Sequence, residues 1–239
     1  MRLFSLSTAV VAVFLVLAPT TPAQDVGLTA HVRVANRGKH GKTPSATETV
    51  IWLTPVDRNA PTRPFSGAPL KLTQIHKSFQ PHLLVVPVGA VVEFPNRDPF
   101  FHNVFSLFDG KRFDLGLYEA GSTRNVSFDR PGVSYIFCNI HAEMSAVVIA
   151  LDTPYYGIAD AKGEIAISQV PAGRYMMHTW YETALPATLN ALTREVTVTS
   201  TSSSLGTIDV AAEVAATHKD KYGMDYEPPS PNTPGYDHP

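Results

Sequence analysis

One short stretch of the chain, residues 138–144, combines three side chains that bind soft metal ions. It contains the only cysteine of the 239 residues, Cys138, then a histidine three positions later, His141, and a methionine three positions after that, Met144. Thiolate, imidazole and thioether ligands favour copper, above all Cu(I), over hard cations. The residue types and their spacing therefore predict a copper site in this stretch.

A further ligand has to come from elsewhere in the chain, and His102 is well placed to supply it. It follows the strand-like residues 91–94 and begins an apolar segment. Two histidines, one cysteine and a weak axial methionine form the trigonal blue-copper site of electron-transfer proteins. We therefore expect one type 1 copper ion, bound by His102, Cys138, His141 and Met144.

Two alternatives assign Cys138 another role. It could be a buried structural thiol, which is common, but this does not account for the positions of the histidine and the methionine. It could also be a nucleophile with His141 as its base. Both residues lie in one short turn, and no orienting acid or oxyanion donor can be identified. We therefore do not expect an enzyme.

Residues 1–23 have the pattern of a secretory signal peptide. Arg2 supplies the charged start, residues 9–18 are apolar throughout, and a small-residue cleavage site ends at Ala23. The apolar run is too short to span a bilayer, although a retained anchor is the alternative. We expect a periplasmic or secreted protein. A lone cysteine in that oxidising compartment cannot form an internal disulfide, and metal ligation is one way to protect it.

The overall charge is close to balanced. The chain has 19 basic and 21 acidic residues, and removal of residues 1–23 removes only one of them, Arg2. This does not favour a nucleic acid or an anionic membrane as a partner. No later segment is long and apolar enough to span a membrane. We expect the partners of this chain to be redox proteins.

The rest of the sequence predicts an all-β fold without a substantial helix. Apolar and polar residues alternate over residues 28–34. Over residues 133–138, Val133, Tyr135 and Phe137 alternate with Ser134, Ile136 and Cys138, which places Cys138 at the end of a strand. An Asp-Gly pair at 109–110 follows the strand-like residues 102–106 and indicates a hairpin. Many short strands separated by turns are typical of β-sandwiches.

The sequence character changes after residue 153, which suggests two units. We expect a copper domain over 24–153 and a small second β-sandwich over 154–212. Residues 213–239 are rich in proline, aspartate and tyrosine and show no apolar periodicity, so we expect a disordered tail.

Two segments of the chain resemble the cupredoxins. One is residues 94–103, which contain Phe-Pro-Asn and His-Asn, and the other is residues 135–144, which contain Cys-x2-His-x2-Met. The loop 138–144 is similar to that of amicyanin. The wider stretch 84–154 resembles plastocyanin-like proteins often labelled methylamine-utilisation proteins. The resemblance covers about residues 27–155, and it implies a Greek-key β-sandwich with copper at one end and a role in electron transfer.

The resemblance also implies a role for each site residue. His102 and His141 would be the imidazole ligands, Cys138 the thiolate and Met144 the axial ligand. Asn103 matches a position that hydrogen-bonds the ligand loop and so orients the ligands. Amicyanin-type loops often carry prolines beside the second histidine, where this chain has Ala and Glu at 142–143, and this difference affects the expected partner-docking surface.

Residues 154–212 resemble carboxypeptidase-regulatory-like, transthyretin-like β-sandwiches, a resemblance that brings no chemistry with it. Two other functions use the same features. The protein could deliver, store or sense copper without passing electrons. It could also be a structural two-domain β protein that binds a glycan or a partner.

Overall fold

The computed structural model describes residues 25–36, 45–57, 69–107, 109–213 and 218–226. The predicted signal peptide, residues 1–23, and the last part of the predicted tail, residues 227–239, lie outside these ranges. Within the described ranges, no helix is long and apolar enough to cross a lipid bilayer.

The described residues form seventeen β-strands and one short α-helix. In chain order the strands are β1 (Val26–Asn36), β2 (Val50–Pro55), β3 (Leu70–Lys71), β4 (Thr73–Ile75), β5 (Ser78–Gln80), β6 (Leu83–Pro87), β7 (Val91–Pro95), β8 (His102–Ser106), β9 (Phe113–Tyr118), β10 (Thr123–Ser127), β11 (Gly132–Cys138), β12 (Ser145–Leu151), β13 (Tyr156–Ile158), β14 (Glu164–Val170), β15 (Gly173–Trp180), β16 (Arg194–Val198) and β17 (Ser204–Ala212). The helix, α1 (Pro186–Leu192), lies between β15 and β16. The predicted all-β class is confirmed.

The first β-sandwich contains the strands from β3 to β12. Its larger sheet has the order β6-β12-β11-β8-β9, and its smaller sheet has the order β10-β7-β3. Buried side chains of both sheets form one core, including Val92 and Phe94 from the smaller sheet and Val104 and Ile136 from the larger. Because side chains alternate along a strand, each strand turns one apolar face to this core.

Strand β12 is buried on both faces, which explains its uninterrupted apolar sequence. Ala146 and Val148 belong to the core of the first sandwich. Val147 and Ile149 point the other way, into a separate cluster that also contains Trp180 from β15. Since both faces of the strand are covered, both sets of side chains have to be apolar. The second cluster joins the two sandwiches.

The second β-sandwich is built from strands that lie on both sides of the first sandwich in the sequence. Its sheets have the orders β14-β1-β17 and β13-β2-β15-β16, with a core of their own. The sequence analysis placed β1 and β2 with the copper domain, residues 24–153, whereas in the structure β1 pairs with β14 and β17, and β2 pairs with β13 and β15. Apolar alternation identifies a strand but does not identify its partner.

The predicted hairpin after β8 is present. Strand β8 pairs with β9 in antiparallel fashion, and β9 itself was not predicted from the sequence. Gly110 in the connection has φ of +48°, and a Cβ atom there would lie 2.7 Å from the carbonyl oxygen of Val133. Only glycine fits this close approach of the connection to β11.

His82 forms a polar contact between the two sandwiches. Its Nδ1 lies 3.1 Å from the carbonyl oxygen of Ser145, and its Nε2 lies 2.8 Å from Oε2 of Glu182. Because both ring nitrogens face acceptors, the protonated imidazolium satisfies both contacts. The hydrogen bond to Glu182 raises the pKa of His82 above its usual value, against the opposing effect of burial.

We expect the Glu182→Gln substitution to destabilise the protein more at about pH 6 than at about pH 9. A raised pKa means that the folded state binds the His82 proton more tightly than the unfolded chain does. The stabilisation is therefore fully present below the unfolded pKa of about 6.5 and is lost as the pH rises through the folded pKa. Urea unfolding of the wild type and the variant at both pH values measures the difference.

The control for this prediction is the same substitution in a His82→Asn background, where Glu182→Gln should have one effect at both pH values. An equal destabilisation by Glu182→Gln at both pH values in the wild-type background would contradict the contact between protonated His82 and Glu182.

Candidate metal centre

The pairing of β8 with β11 brings the two parts of the candidate site together. Cys138, the last residue of β11, is opposite Val104 of β8, and His102 is the first residue of β8. The start of β8 and the end of β11 therefore lie side by side at one end of the sheet. His141 follows in the loop between β11 and β12, at the same end.

The structure places one sulfur and two imidazole nitrogens around a common point. The Sγ atom of Cys138 lies 3.6 Å from Nδ1 of His102 and 3.6 Å from Nδ1 of His141. The centroids of the two imidazole rings are 4.9 Å apart. Among the described residues, these three are the group of His, Cys, Asp or Glu side chains with the spacing of a metal site.

These distances fit a bound metal ion. Typical bonds of about 2.0 Å to nitrogen and about 2.3 Å to sulfur, with trigonal to tetrahedral angles, require sulfur and nitrogen to be about 3.5–3.7 Å apart. The observed separations of Cys138 Sγ from both histidines fall in this range. The donor atoms are thus spaced as a first-row metal ion with N and S ligands needs them.

Met144 closes the loop that carries Cys138 and His141. Its backbone N–H donates to the carbonyl oxygen of His141, at 3.1 Å, and its own carbonyl oxygen accepts from the N–H of Cys138, at 3.2 Å. The Met144 side chain is fully buried, and it belongs to the same core cluster as Cys138. Its role as an axial ligand stays a prediction.

A buried carboxylate, Asp98, fixes the orientation of the His102 ring. The Nε2 atom of His102 lies 2.9 Å from Oδ2 of Asp98, and both side chains are buried. Since a carboxylate accepts hydrogen bonds, Nε2 carries the proton and Nδ1 offers its lone pair to the metal position. The backbone N–H groups of His76 and Lys77 donate to Asp98, at 2.6 Å and 3.0 Å, and hold it in place.

The electrostatics of this pair suit metal binding. Burial raises the pKa of Asp98, but its hydrogen bonds with His102 and the two backbone N–H groups outweigh burial and lower the pKa overall. Burial lowers the pKa of His102, and that effect outweighs the opposing influence of Asp98. The neutral imidazole and the ionised carboxylate are the forms that a metal-bound histidine and its hydrogen-bonding partner require.

The Cys138 sulfur is fully buried and surrounded by backbone donors. Burial raises the pKa of the thiol, although hydrogen bonds from the backbone N–H groups of Ile140, Asn103 and His141 act in the opposite direction. These donors partly compensate the negative charge of a thiolate, and a cation bound by Cys138 would supply the rest of the positive charge. Burial also lowers the pKa of His141, which keeps its imidazole neutral.

Asn103 contacts the ligand loop through its backbone. Its carbonyl oxygen accepts a hydrogen bond from the N–H of Asn139, at 2.9 Å. Its side-chain Nδ2 donates instead to Oδ1 of Asp114, at 2.6 Å. The sequence analysis expected a hydrogen bond between this residue and the loop, and the structure assigns that bond to the main chain.

Aromatic and aliphatic side chains surround the histidines. The ring of Phe100 lies 5.3 Å from the His102 ring and 5.5 Å from the His141 ring, between centroids. Phe101 is 52% exposed and Ile140 is 47% exposed, while His141 is half-buried. His141 is therefore partly exposed, and the residues that precede the two histidines in the sequence are exposed and apolar.

Sequence reasoning missed three contributors to the site. Asp98 precedes His102 by four residues, and an acidic residue so close to a candidate ligand is a signal that could have been used. Asn139 and the segment 218–226 gave no such signal. The segment belongs to the predicted disordered tail, yet the structure places it against the ligand loop, where Tyr226 donates a hydrogen bond to the carbonyl oxygen of Cys138.

No family model and no curated protein matches the chain. Among solved structures, the copper-containing nitrite reductase NirK from Thermus scotoductus SA-01 matches with a TM-score of 0.34 and 25% identity, over 41% of this chain and 25% of that chain. The purple cupredoxin from Nitrosopumilus maritimus matches with a TM-score of 0.32 and 22% identity, over 34% of this chain and 99% of that chain. A methionine-to-alanine mutant of amicyanin in its Cu(I) form matches with a TM-score of 0.33 and 16% identity, over 42% of this chain and 98% of that chain.

Each of these matches covers less than half of this chain. This chain spans a quarter of the nitrite reductase chain.

We expect the Asp98→Asn substitution to weaken Cu(II) binding about tenfold, the lower end of the range for a residue that orients a ligand histidine. The amide oxygen can still accept the hydrogen bond from His102, but it carries no charge. Asp98→Ala, which removes the acceptor as well, should weaken binding further. Competition titration against a chelator of known affinity measures both effects.

The matched control is Asp129→Asn, because Asp129 forms an exposed ion pair with Lys111 and has no contact with the site among the interactions described. That variant should bind Cu(II) like the wild type. Wild-type affinity in both Asp98 variants would show that the carboxylate does not support the ligand.

Proposed function

We propose that this protein binds one copper ion through His102, Cys138 and His141, with Met144 as a weak axial ligand, and carries single electrons between partner proteins. The observation that supports the proposal is the set of two imidazoles and one thiol, with both Nδ1 atoms 3.6 Å from the sulfur. Copper, when bound, supplies the one-electron exchange between Cu(II) and Cu(I).

Contacts within the protein hold the donor atoms in position. The register of β8 and β11 sets the distance between His102 and Cys138, and Asp98 fixes the ring of His102. A donor set that packing and hydrogen bonds hold in place changes little between two metal oxidation states. Such a site suits rapid electron exchange.

The surface at His141 suits transient docking of another protein. His141 is half-buried, and Ile140, the residue before it, is exposed. Phe101, the residue before His102, is exposed as well. Exposed apolar groups beside a functional site are typical of protein contact surfaces. We propose that redox partner proteins bind at this end of the first sandwich.

The environment of Cys138 supports a carrier rather than an enzyme. A cysteine nucleophile is usually activated by a lowered pKa in a partly exposed, electropositive setting. Cys138 is fully buried, and burial raises the pKa of its thiol. We therefore propose that this residue serves as a metal ligand and that the protein catalyses no reaction of its own.

The proposed location of the protein follows from the sequence of residues 1–23. Their pattern of one charge, an apolar run and a small-residue cleavage site is that of a secretory signal. We propose that the mature protein is periplasmic or secreted, where redox partners in the same compartment would exchange electrons with it.

We expect the copper-loaded wild-type protein to show an intense visible absorption band, because electrons of the Cys138 thiolate are excited to Cu(II). The band should be absent in a Cys138→Ala variant, and the wild type should also give a reversible one-electron wave in voltammetry. Absorption spectroscopy and voltammetry of the same samples measure both properties.

A buried methionine in the other sandwich, Met177, provides a matched control, since Met177→Leu should leave the band unchanged. A colourless Cu(II)-loaded wild type would contradict the proposal. A coloured protein without a reversible wave would support the alternative of copper storage or delivery.

A further inference from the structure

Residues 218–226 pack on the outer face of the larger sheet of the first sandwich, directly behind the candidate metal centre. The ring of His218 stacks on that of Phe137, with centroids 4.1 Å apart and an angle of 25° between the planes. Because successive residues of β11 point to opposite faces, the Phe137 side chain faces away from the buried Cys138 sulfur. The segment therefore contacts the end of β11 on the face opposite to the Cys138 sulfur.

Two hydrogen bonds attach this segment to the start of the ligand loop. The hydroxyl of Tyr226 donates to the carbonyl oxygen of Cys138, at 2.7 Å, and the backbone N–H of Lys221 donates to Oδ1 of Asn139, at 2.9 Å. Both contacts are made where β11 ends and the loop to Met144 begins.

A third contact is made with β9, the strand next to the one that carries His102. The Nζ atom of Lys221 lies 2.8 Å from Oδ2 of Asp114, and Oδ1 of the same carboxylate accepts from the side chain of Asn103, at 2.6 Å. Asn103 directly follows His102. One segment is thus connected to both ligand-bearing strands, β8 through Asp114 and Asn103, and β11 through Cys138 and Asn139.

The segment has an ordered turn of its own. Oδ1 of Asp220 accepts hydrogen bonds from the backbone N–H groups of Tyr222 and Met224, at 2.9 Å and 2.7 Å. Beyond this turn, the hydroxyl of Tyr226 comes within 3.3 Å of Nδ1 of His218. Since that hydroxyl donates to Cys138, it accepts from His218, and the two ends of the segment support each other.

We propose that residues 218–226 form a clasp that holds the start of the ligand loop in its metal-binding geometry and slows the release of copper. The inference rests on the copper binding proposed above. For copper to leave, the loop that carries Cys138 and His141 has to move away from His102. Such a movement breaks the hydrogen bonds with Tyr226 and Lys221, so the clasp opposes it. Tyr226 and Lys221 are positioning residues, since they act through the backbone and through neighbours of the ligands.

The test is the rate at which the Cu(I)-loaded full-length protein loses its metal to an excess of a Cu(I)-specific chelator. We expect Tyr226→Phe to release Cu(I) about three- to tenfold faster than the wild type, the range that loss of one neutral hydrogen bond allows. The matched control is Tyr156→Phe in β13 of the second sandwich, where Tyr156 is exposed and lies outside the clasp. This variant should release Cu(I) at the wild-type rate. Lys221→Met, which removes the ion pair with Asp114 instead, is the second variant and should also accelerate release.

A metal-free measurement separates the clasp from the copper proposal. In the apo protein, backbone hydrogen exchange of residues 138–141 should be faster in Tyr226→Phe than in the wild type, while exchange in β1 should not change. If both Tyr226→Phe and Lys221→Met showed the hydrogen exchange and the rate of copper release of the wild type, the clasp proposal would be overturned. Failure of the wild type to bind copper, together with faster exchange in the variants, would contradict the copper proposal and leave the mechanical role of the clasp supported.

Discussion

The antiparallel pairing of β8 with β11 is the constraint on which the candidate metal centre depends. The pairing of Cys138 with Val104 sets where the thiol lies relative to His102, two residues away on the partner strand. Because the side-chain period of a strand is two, a shift of one residue would turn Cys138 away from the core and separate it from the histidine. The core of the first sandwich holds this register, since Val104 and Ile136 are fully buried within it.

The buried part of this site also has to offset the free energy that is lost when its polar atoms are removed from water. An unpaired polar or charged group in a protein interior is strongly unfavourable. Here Asp98 receives hydrogen bonds from His102 and from two backbone N–H groups, and the Cys138 sulfur receives backbone hydrogen bonds of its own. The same contacts that make burial tolerable also orient the donor atoms. Stability and function of the site therefore rest on one set of interactions.

Local patterns in the sequence predicted much of the fold, and they predicted three residues that the structure brings together, His102, Cys138 and His141. The alternation of apolar and polar residues indicated most strands. The close spacing of Cys138, His141 and Met144 predicted the loop of the candidate site, and the position of His102 after a strand-like segment predicted the further ligand. Pairing between distant strands was not predictable, because β1 and β2 carry ordinary alternation that fits several partners. The segment 218–226 was also missed, since it is held by hydrogen bonds and ring stacking, which leave no apolar period in the sequence.

The central claim is that one copper ion binds to the sulfur of Cys138 and to the Nδ1 atoms of His102 and His141. X-ray absorption at the copper edge of the loaded protein tests it most directly, because the signal reports the type and number of the nearest atoms. The account predicts one short copper–sulfur distance and two imidazole nitrogens in the wild type, with the short sulfur contribution lost in Cys138→Ala. A spectrum with only nitrogen and oxygen neighbours in the wild type would contradict it.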